Sequence, residues 1–299
     1  MDNQIVTSPI FYMGNKQKLI KRGLINFFPE NINKFIDVFA GSGTVSFNAK
    51  ANTYMLNDKN EQLMLLLKWF SENEPERIIC NIKDIVQRYE LEYGMGEKIS
   101  FDNRSKFYNK KLAEIHKQNY KKLRNDYNKH KDVMLLYVLT IYCFCHQMRT
   151  DKQGNFNMPC GNGVFTKENM EWIQASGEWF ANNNFVLTNN DFRKLKVDGL
   201  HNEDFVYLDP PYLNTTATYN ENQGWTSKDE TDLHSLCEQL TSNGIKFAMS
   251  NVFLCKGQEN TQLVEWCKNN NYRVEHLQGV YSACGKGNSK ADDVLIMNY

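Results

Sequence analysis

Asp209-Pro210-Pro211-Tyr212 is the stretch of this 299-residue chain with the most definite chemical capacity. It follows Asp204-Phe205-Val206-Tyr207-Leu208, a mostly apolar run that reads as a buried parallel strand ending in a carboxylate at a cleft. Two consecutive prolines stop the strand, fix φ and donate no hydrogen bond, so nearby backbone carbonyls become stiffly aimed acceptors. A carboxylate, a rigid carbonyl and an aromatic ring together suit a planar heterocycle carrying an exocyclic amino group. The two acceptors take the two amino hydrogens, and Tyr212 stacks on the ring. The same four residues also fit a proline-rich turn in which Asp209 caps the backbone and Tyr212 packs on the surface.

The elements around this stretch offer a second ligand-binding feature. Phe35-Ile36-Asp37-Val38-Phe39-Ala40-Gly41-Ser42-Gly43-Thr44-Val45-Ser46 reads as an apolar strand, a tight glycine turn and a helix start. Gly41 and Gly43 let the backbone come close to a ligand at a helix N-terminus. No Gly-Lys-Thr follows, which excludes a phosphate-cradling loop, and Ser46 stands where a nicotinamide fingerprint has its third glycine. A second strand, Tyr54-Met55-Leu56, ends at Asn57-Asp58, placing an acid where Rossmann-like folds bind ribose hydroxyls. Upstream, Tyr12-Met13-Gly14-Asn15-Lys16 precedes Leu19, Ile20, Leu24, Ile25 and Phe28 at helical spacing. Lys16 falls near a helix start, where the dipole disfavours a cation, and so reads as facing an anionic ligand, with a solvated surface lysine as the alternative.

Lys plus Arg equals Asp plus Glu at 35 each, so only the distribution of charge can point to a polyanion. Ten Lys or Arg residues lie between Arg104 and Lys131, against Glu114 and Asp126. That is the electrostatic footprint of nucleic-acid binding or a solvated helical face, with Lys110, Lys111, Lys121 and Lys122 as phosphate contacts. The segment Phe144 to Gly163 reads as a hairpin turning at Gln153-Gly154. Its arms carry side chains suited to base edges: Arg149 for guanine, Gln147, Asn155 and Asn157 for adenine, and Met158, next to Pro159, for stacking or a thymine methyl. A bland surface hairpin is the competing reading. The eight cysteines lack framework spacing, and Cys143 and Cys145 point to opposite sides of an apparent helix, so no metal site is expected. No apolar run is long enough to span a bilayer and the N-terminus has no signal pattern, so a cytoplasmic protein is expected. The α/β pattern resumes at Phe185 to Thr188 and Asn190-Asp191-Phe192, and Ser227 with Glu230 reads as a capping box.

Tyr12 to Lys16, Phe39 to Gly43, the hairpin and Asp209 to Tyr212 occur in an order that resembles the Dam-type (α group) DNA adenine N6-methyltransferases. The chain is most similar to the Dam enzymes of T-even bacteriophages within that family. Leu123-Arg124 with Asp126 to Lys129, Leu135 to Leu139, Gly154 to Phe156, and Gly244 to Phe247 with Ser250 to Val252 carry the likeness further. The resemblance implies an α/β, Rossmann-like S-adenosylmethionine-dependent methyltransferase fold. The catalytic domain would comprise 1–58 and 166–299, with a helical DNA-recognition domain, 59–165, inserted. It implies that Tyr12, Lys16, Asp58 and Asp209 bind S-adenosylmethionine, that Phe39, Ala40, Gly41, Ser42 and Gly43 form the cofactor turn, and that Asp191 and Phe192 contact its adenine. Asp209, Pro210, Pro211 and Tyr212 would be catalytic, Arg149 and Asn155 would lie in the hairpin that reads duplex DNA, and no obligate protein partner or membrane is implied. The phage enzymes read a guanine of GATC with a basic residue where this chain has Gly163, and a DNA-contacting position before the hairpin is Cys145. The expected target therefore contains an adenine but is not strict GATC. An amino-group cytosine methyltransferase and a catalytically silent DNA-binding relative are the alternatives. Ser at 209 would favour the first, and intact Lys16, Asp58 and Asp209 argue against the second.

Overall fold

The computed structural model describes residues 5–12, 14–94, 110–213, 224–255, 257–277 and 291–299, with side chains from 114 onward in the helix that begins at Lys110. They form two compact units, one mainly Lys16–Glu61 and Asn183–Tyr299, the other Val6–Asn15 and Gln62–Asn182. Among the described residues no helix is long and apolar enough to cross a membrane.

The first unit is built on a sheet whose apolar strands are those expected from the sequence. Lys34–Asp37 lies between Thr53–Asn57 and Phe205–Leu208 and is parallel to both. Asn184–Thr188 extends the sheet beyond Thr53–Asn57, and Lys246–Cys255 extends it beyond Phe205–Leu208, again in parallel. Asp292–Met297 and Arg273–His276 complete it in antiparallel fashion. The strand order thus reverses between Lys34–Asp37 and Phe205–Leu208, where open α/β sheets leave a crevice at the strands' carboxyl ends. Asp37 ends one of these two strands and Asp209 follows the other.

Alternation along the strands divides the core between two faces. On one, Val206, Leu208, Phe247 and Met249 belong to a cluster with Leu233, Leu236 and Leu240 of helix Ser227–Ser242 and Leu263 of helix Thr261–Asn269. On the other, Phe35, Phe205 and Tyr207 surround Phe28 with ring centroids 5.0–5.8 Å from it. Burying a phenylalanine of this kind contributes about 1.5–3 kcal/mol, which fixes the strand ends that carry the polar residues.

Local details depart from the sequence expectations for identifiable reasons. The helical spacing from Leu19 to Phe28 resolves into an α-helix, Gln17–Lys21, and a 3-10 turn, Leu24–Phe27, divided at Gly23 with φ of 95°. Beyond Gly43 the chain forms turns rather than the expected helix start. There the side chains compete for polar groups, with Asn48 donating to the Thr44 carbonyl and Ser46 to Asp37. The capping box is Thr226 with Asp229, one residue earlier than expected. Glu230 is instead buried, accepting from the Trp225 indole at 2.6 Å.

The second unit is helical, with Pro75–Arg88, Lys110–His130, Val133–Tyr142 and Lys167–Asn182. The last of these falls outside the 59–165 span expected for an inserted domain. It belongs here because Ile173, Ser176, Trp179 and Phe180 are buried and because Gly177 lets it approach Pro75, whose Cγ would lie 2.2 Å from an added Cβ.

Candidate active site

Asp209 leaves the sheet immediately after Leu208 and meets a buried cation. Lys16, 3% exposed, places its Nζ 2.5 Å from the Asp209 carboxylate. Tyr212 donates its hydroxyl to the other carboxylate oxygen at 3.1 Å, and the Lys16 ammonium lies 5.5 Å from the Tyr212 ring centroid. Burial raises the Asp209 carboxyl above the usual range, while Lys16 and the Tyr212 hydroxyl pull it back towards the ionised form. The anion that Lys16 was expected to face is therefore Asp209 itself. Tyr212 is 6% exposed and packs with Val252 and Cys255 rather than offering an open face.

The glycine turn brings two more carboxylates close. Gly41 adopts φ of 53° and donates its N–H to Asp58 at 2.8 Å, and the other Asp58 oxygen accepts from the Asn60 N–H. Gly43 has φ of 77°, and a Cβ there would stand 3.0 Å from the Phe47 ring. Asp37 is buried, accepts from the Ser46 hydroxyl at 2.8 Å and leaves its Oδ1 without a hydrogen-bond partner. Burial pushes its carboxyl up to about 7, Ser46 and Lys16 oppose this, and the charges of Asp209 and Asp58 add to it. Asp37, Ser46 and Asn57 are site residues that the sequence reading did not single out. Asn57 holds the Val38 and Asn190 carbonyls with its amide while its Oδ1 accepts from Thr188 and Asn190. For Asp37, the signal was there to be read: like Asp58, it is an acid at a strand end.

Asp191 and Phe192 follow the outer strand Asn184–Thr188. Asp191 pairs with Lys59 at 3.1 Å and with Arg193, which hold its carboxyl below the usual range against partial burial. Phe192 is buried, with centroids 5.6 Å from both Phe39 and Trp225, which completes an aromatic trio beside the glycine turn. Trp225 carried no sequence signal, because its place depends on the indole bond to Glu230.

In the helical unit, the hairpin is short and heavily tied. Thr150 and Phe156 bridge its arms near the turn and Cys143 and Cys160 bridge them at its base, and Asp151 accepts from the Gln153 and Asn155 N–H groups around the turn. Helix Lys110–His130 holds the return arm, with Tyr120 and Arg124 donating to the Met158 carbonyl and Asn128 exchanging two bonds with Phe156. Arg149 donates to Asn157 at 2.9 Å, and Asn155 accepts from Lys131. Gln147 is half-buried and Pro159 exposed. Met158, expected to touch a base, is a core residue at 3% exposure. Lys121 and Lys122 are exposed, whereas the side chains of Lys110 and Lys111 lie outside the described residues. Gly163 cannot take a side chain on this backbone, since a Cβ would stand 1.9 Å from the Ile141 carbonyl oxygen. Tyr12 belongs to this helical unit, where its carbonyl accepts from Asn15.

A mostly parallel sheet thus gathers a glycine turn, strand-end acids and a lysine-held Asp-Pro-Pro-Tyr motif at its switch point. The chain belongs to the D12 class N6 adenine-specific DNA methyltransferase family, whose model matches residues 12–282. It is 32% identical over 309 residues to the type II methyltransferase M.FokI of Planomicrobium okeanokoites, covering 99% of this chain and 43% of that protein. The modification methylase StsI of Streptococcus sanguinis is 31% identical, with 98% and 43% covered. A DNA adenine methylase of Vibrio cholerae is 22% identical over 96% of this chain and 94% of its own length. The chain thus spans less than half the length of the first two relatives.

Proposed function

We propose that this protein transfers a methyl group from S-adenosylmethionine to the exocyclic N6 of adenine in duplex DNA. The observation that carries the reading is the pairing of buried Lys16 with half-buried Asp209 beside two prolines, at the sheet's switch point. The closer kinship with phage Dam enzymes and the division into catalytic and recognition parts belong to the same proposal.

The chain's residues fit that cofactor. Asp37, Asp58 and Asp209 set three carboxylates against one lysine, and Asp37 keeps a buried oxygen without a partner. A ligand carrying a sulfonium and an ammonium relieves that imbalance. In this reading Asp37 takes the ammonium, Asp58 the ribose hydroxyls, and the Phe39, Phe192 and Trp225 trio the adenine face. When bound, S-adenosylmethionine supplies an electrophilic methyl group on sulfur.

Adenine N6 is a poor nucleophile because its lone pair is delocalised into the ring. The Asp209 carboxylate and the Pro210 carbonyl accept its two hydrogens, draw the nitrogen towards tetrahedral geometry and aim the lone pair. Lys16 keeps Asp209 ionised against burial, and so keeps it an acceptor. Asp209 need not take a full proton early, since the amino proton becomes acidic only once the new N–C bond is largely formed. The adenine must leave the duplex to reach Asp209, at about a few kcal/mol, offset by stacking on Tyr212 once its ring is uncovered. Lys121 and Lys122 contact phosphates, and Arg149 reads a guanine after exchanging its bond to Asn157 for one to the base.

Digestion of DNA treated with the protein and methyl-labelled S-adenosylmethionine, followed by nucleoside mass spectrometry, tests the reading. Labelled N6-methyldeoxyadenosine is expected. N4-methyldeoxycytidine would turn the assignment to the cytosine enzyme, and DNA binding with no labelled nucleoside would mark a silent relative.

A further inference from the structure

Glu230 sits in the first turn of helix Ser227–Ser242 and is 0% exposed. A buried carboxyl is costly unless it is hydrogen-bonded, and an acid that serves a helix dipole can do so from the surface. Its Oε2 accepts from the Trp225 indole N–H at 2.6 Å, and its Oε1 accepts from the Asn260 amide at 3.4 Å. The His234 Nε2, 3.7 Å from Oε1, is too distant for a hydrogen bond. The short, directed contact of this buried group is therefore the one to Trp225. Asn260 is itself anchored, since its N–H donates to the Phe253 carbonyl and its Oδ1 accepts from the Leu263 N–H.

The same helix turn holds two of the three rings beside the glycine turn. Trp225 is partly exposed, edge-on to Phe39 with centroids 5.9 Å apart and 5.6 Å from Phe192. Arg193 lies over the Phe192 ring at 4.5 Å and pairs with Asp229 at 2.5 Å and Asp232 at 2.6 Å. Phe192 is thus tied to this helix through its neighbour Arg193, and Trp225 is tied to it through Glu230. An indole has a single N–H, so a fixed acceptor selects one orientation of the ring and of its faces.

Resting on the methyltransferase reading above, we propose that Glu230 is a positioning residue for cofactor binding, fixing the Trp225 indole in the orientation that receives the adenine of S-adenosylmethionine. It acts through Trp225 and touches neither the cofactor nor the target base. Its burial keeps water from competing for the indole N–H.

The test is calorimetric titration of S-adenosylmethionine into wild type, Glu230→Leu, Glu230→Gln, Trp225→Phe and the Trp225→Phe/Glu230→Leu double variant. Thermal melts and DNA affinity without cofactor are measured alongside. Leucine fills the buried space and the partly exposed indole can turn to water, so Glu230→Leu is expected to fold. Its cofactor affinity should fall about tenfold, whereas Glu230→Gln, which keeps an acceptor, should stay within about threefold of wild type. Trp225→Phe should lose at least as much as Glu230→Leu, and adding Glu230→Leu to it should cost little more. The proposal is overturned if Glu230→Leu binds S-adenosylmethionine as tightly as wild type, or if its loss is undiminished in the Trp225→Phe background. A parallel fall in DNA affinity and melting temperature would mark a merely structural role and overturn it as well. Failure of wild type to bind S-adenosylmethionine would instead overturn the parent reading, and this proposal with it.

Discussion

At the residue scale, the proposed function depends on holding the Asp209 carboxylate charged inside the protein. Lys16 is the cation that does this for Asp209. Lys16→Met should leave Asp209 buried with no positive neighbour, so its carboxyl climbs further. Methyl transfer at neutral pH is expected to fall and to recover towards higher pH, with the acidic limb of the single-turnover pH profile moving up by about 1–3 units; an unmoved limb would detach Lys16 from this role. Asp37 gives the opposite kind of prediction, in stability. Its folded carboxyl is raised from 3.8 to about 7, so the folded state holds a proton that the unfolded chain releases. Its contribution is present below pH 3.8 and is lost as pH rises through about 7. Asp37→Asn, which can still accept from Ser46, should therefore stabilise the protein by about a few kcal/mol at pH 8 and not at pH 4. Denaturant melts at the two pH values compare them, and an equal effect at both would contradict the assignment. The Asp209 motif was legible because its letters name their own chemistry. The Lys16 partnership was not, since nothing in the spacing of 16 and 209 says they meet.

At the scale of elements, the strands were legible because continuous apolar runs bounded by polar turns have few other uses. The turn after Gly43 was not, because Ser46 and Asn48 resolve their hydrogen bonding in three dimensions. The same holds for the cap at Thr226, displaced by the burial of Glu230. The hairpin's turn at Gly154 was visible, but which of its residues face inward was set by helix Lys110–His130, which draws Met158 into the core. Gly161 and Gly163 pack against the 141–144 segment, where a Cβ would lie 2.4 Å from the Cys143 oxygen and 1.9 Å from the Ile141 oxygen. Gly163→Ala should thus force the backbone apart and cost about 1–3 kcal/mol, with relaxed sequence preference in a methylation profile. A variant as stable and selective as wild type would show that this packing does not position the hairpin.

At the scale of the whole molecule, a neutral chain places ten of its 35 Lys and Arg residues between Arg104 and Lys131, a feature visible in the sequence. The structure refines which cations are available. Arg124 and Lys131 are spent on the hairpin, while Lys121 and Lys122 remain exposed. Replacing Lys121 and Lys122 with Gln should weaken binding to every duplex alike and reduce the slope of log K against log salt by roughly 0.9 per residue; an unchanged slope would mark a solvated face. The central claim is that Asp209, held by Lys16, orients the target amino group, and the most direct measurement is single-turnover methyl transfer by Asp209→Ala with DNA affinity determined in parallel. The account predicts a rate loss of at least about 2–4 kcal/mol in the barrier with DNA affinity largely retained. Near-normal transfer by Asp209→Ala would contradict it.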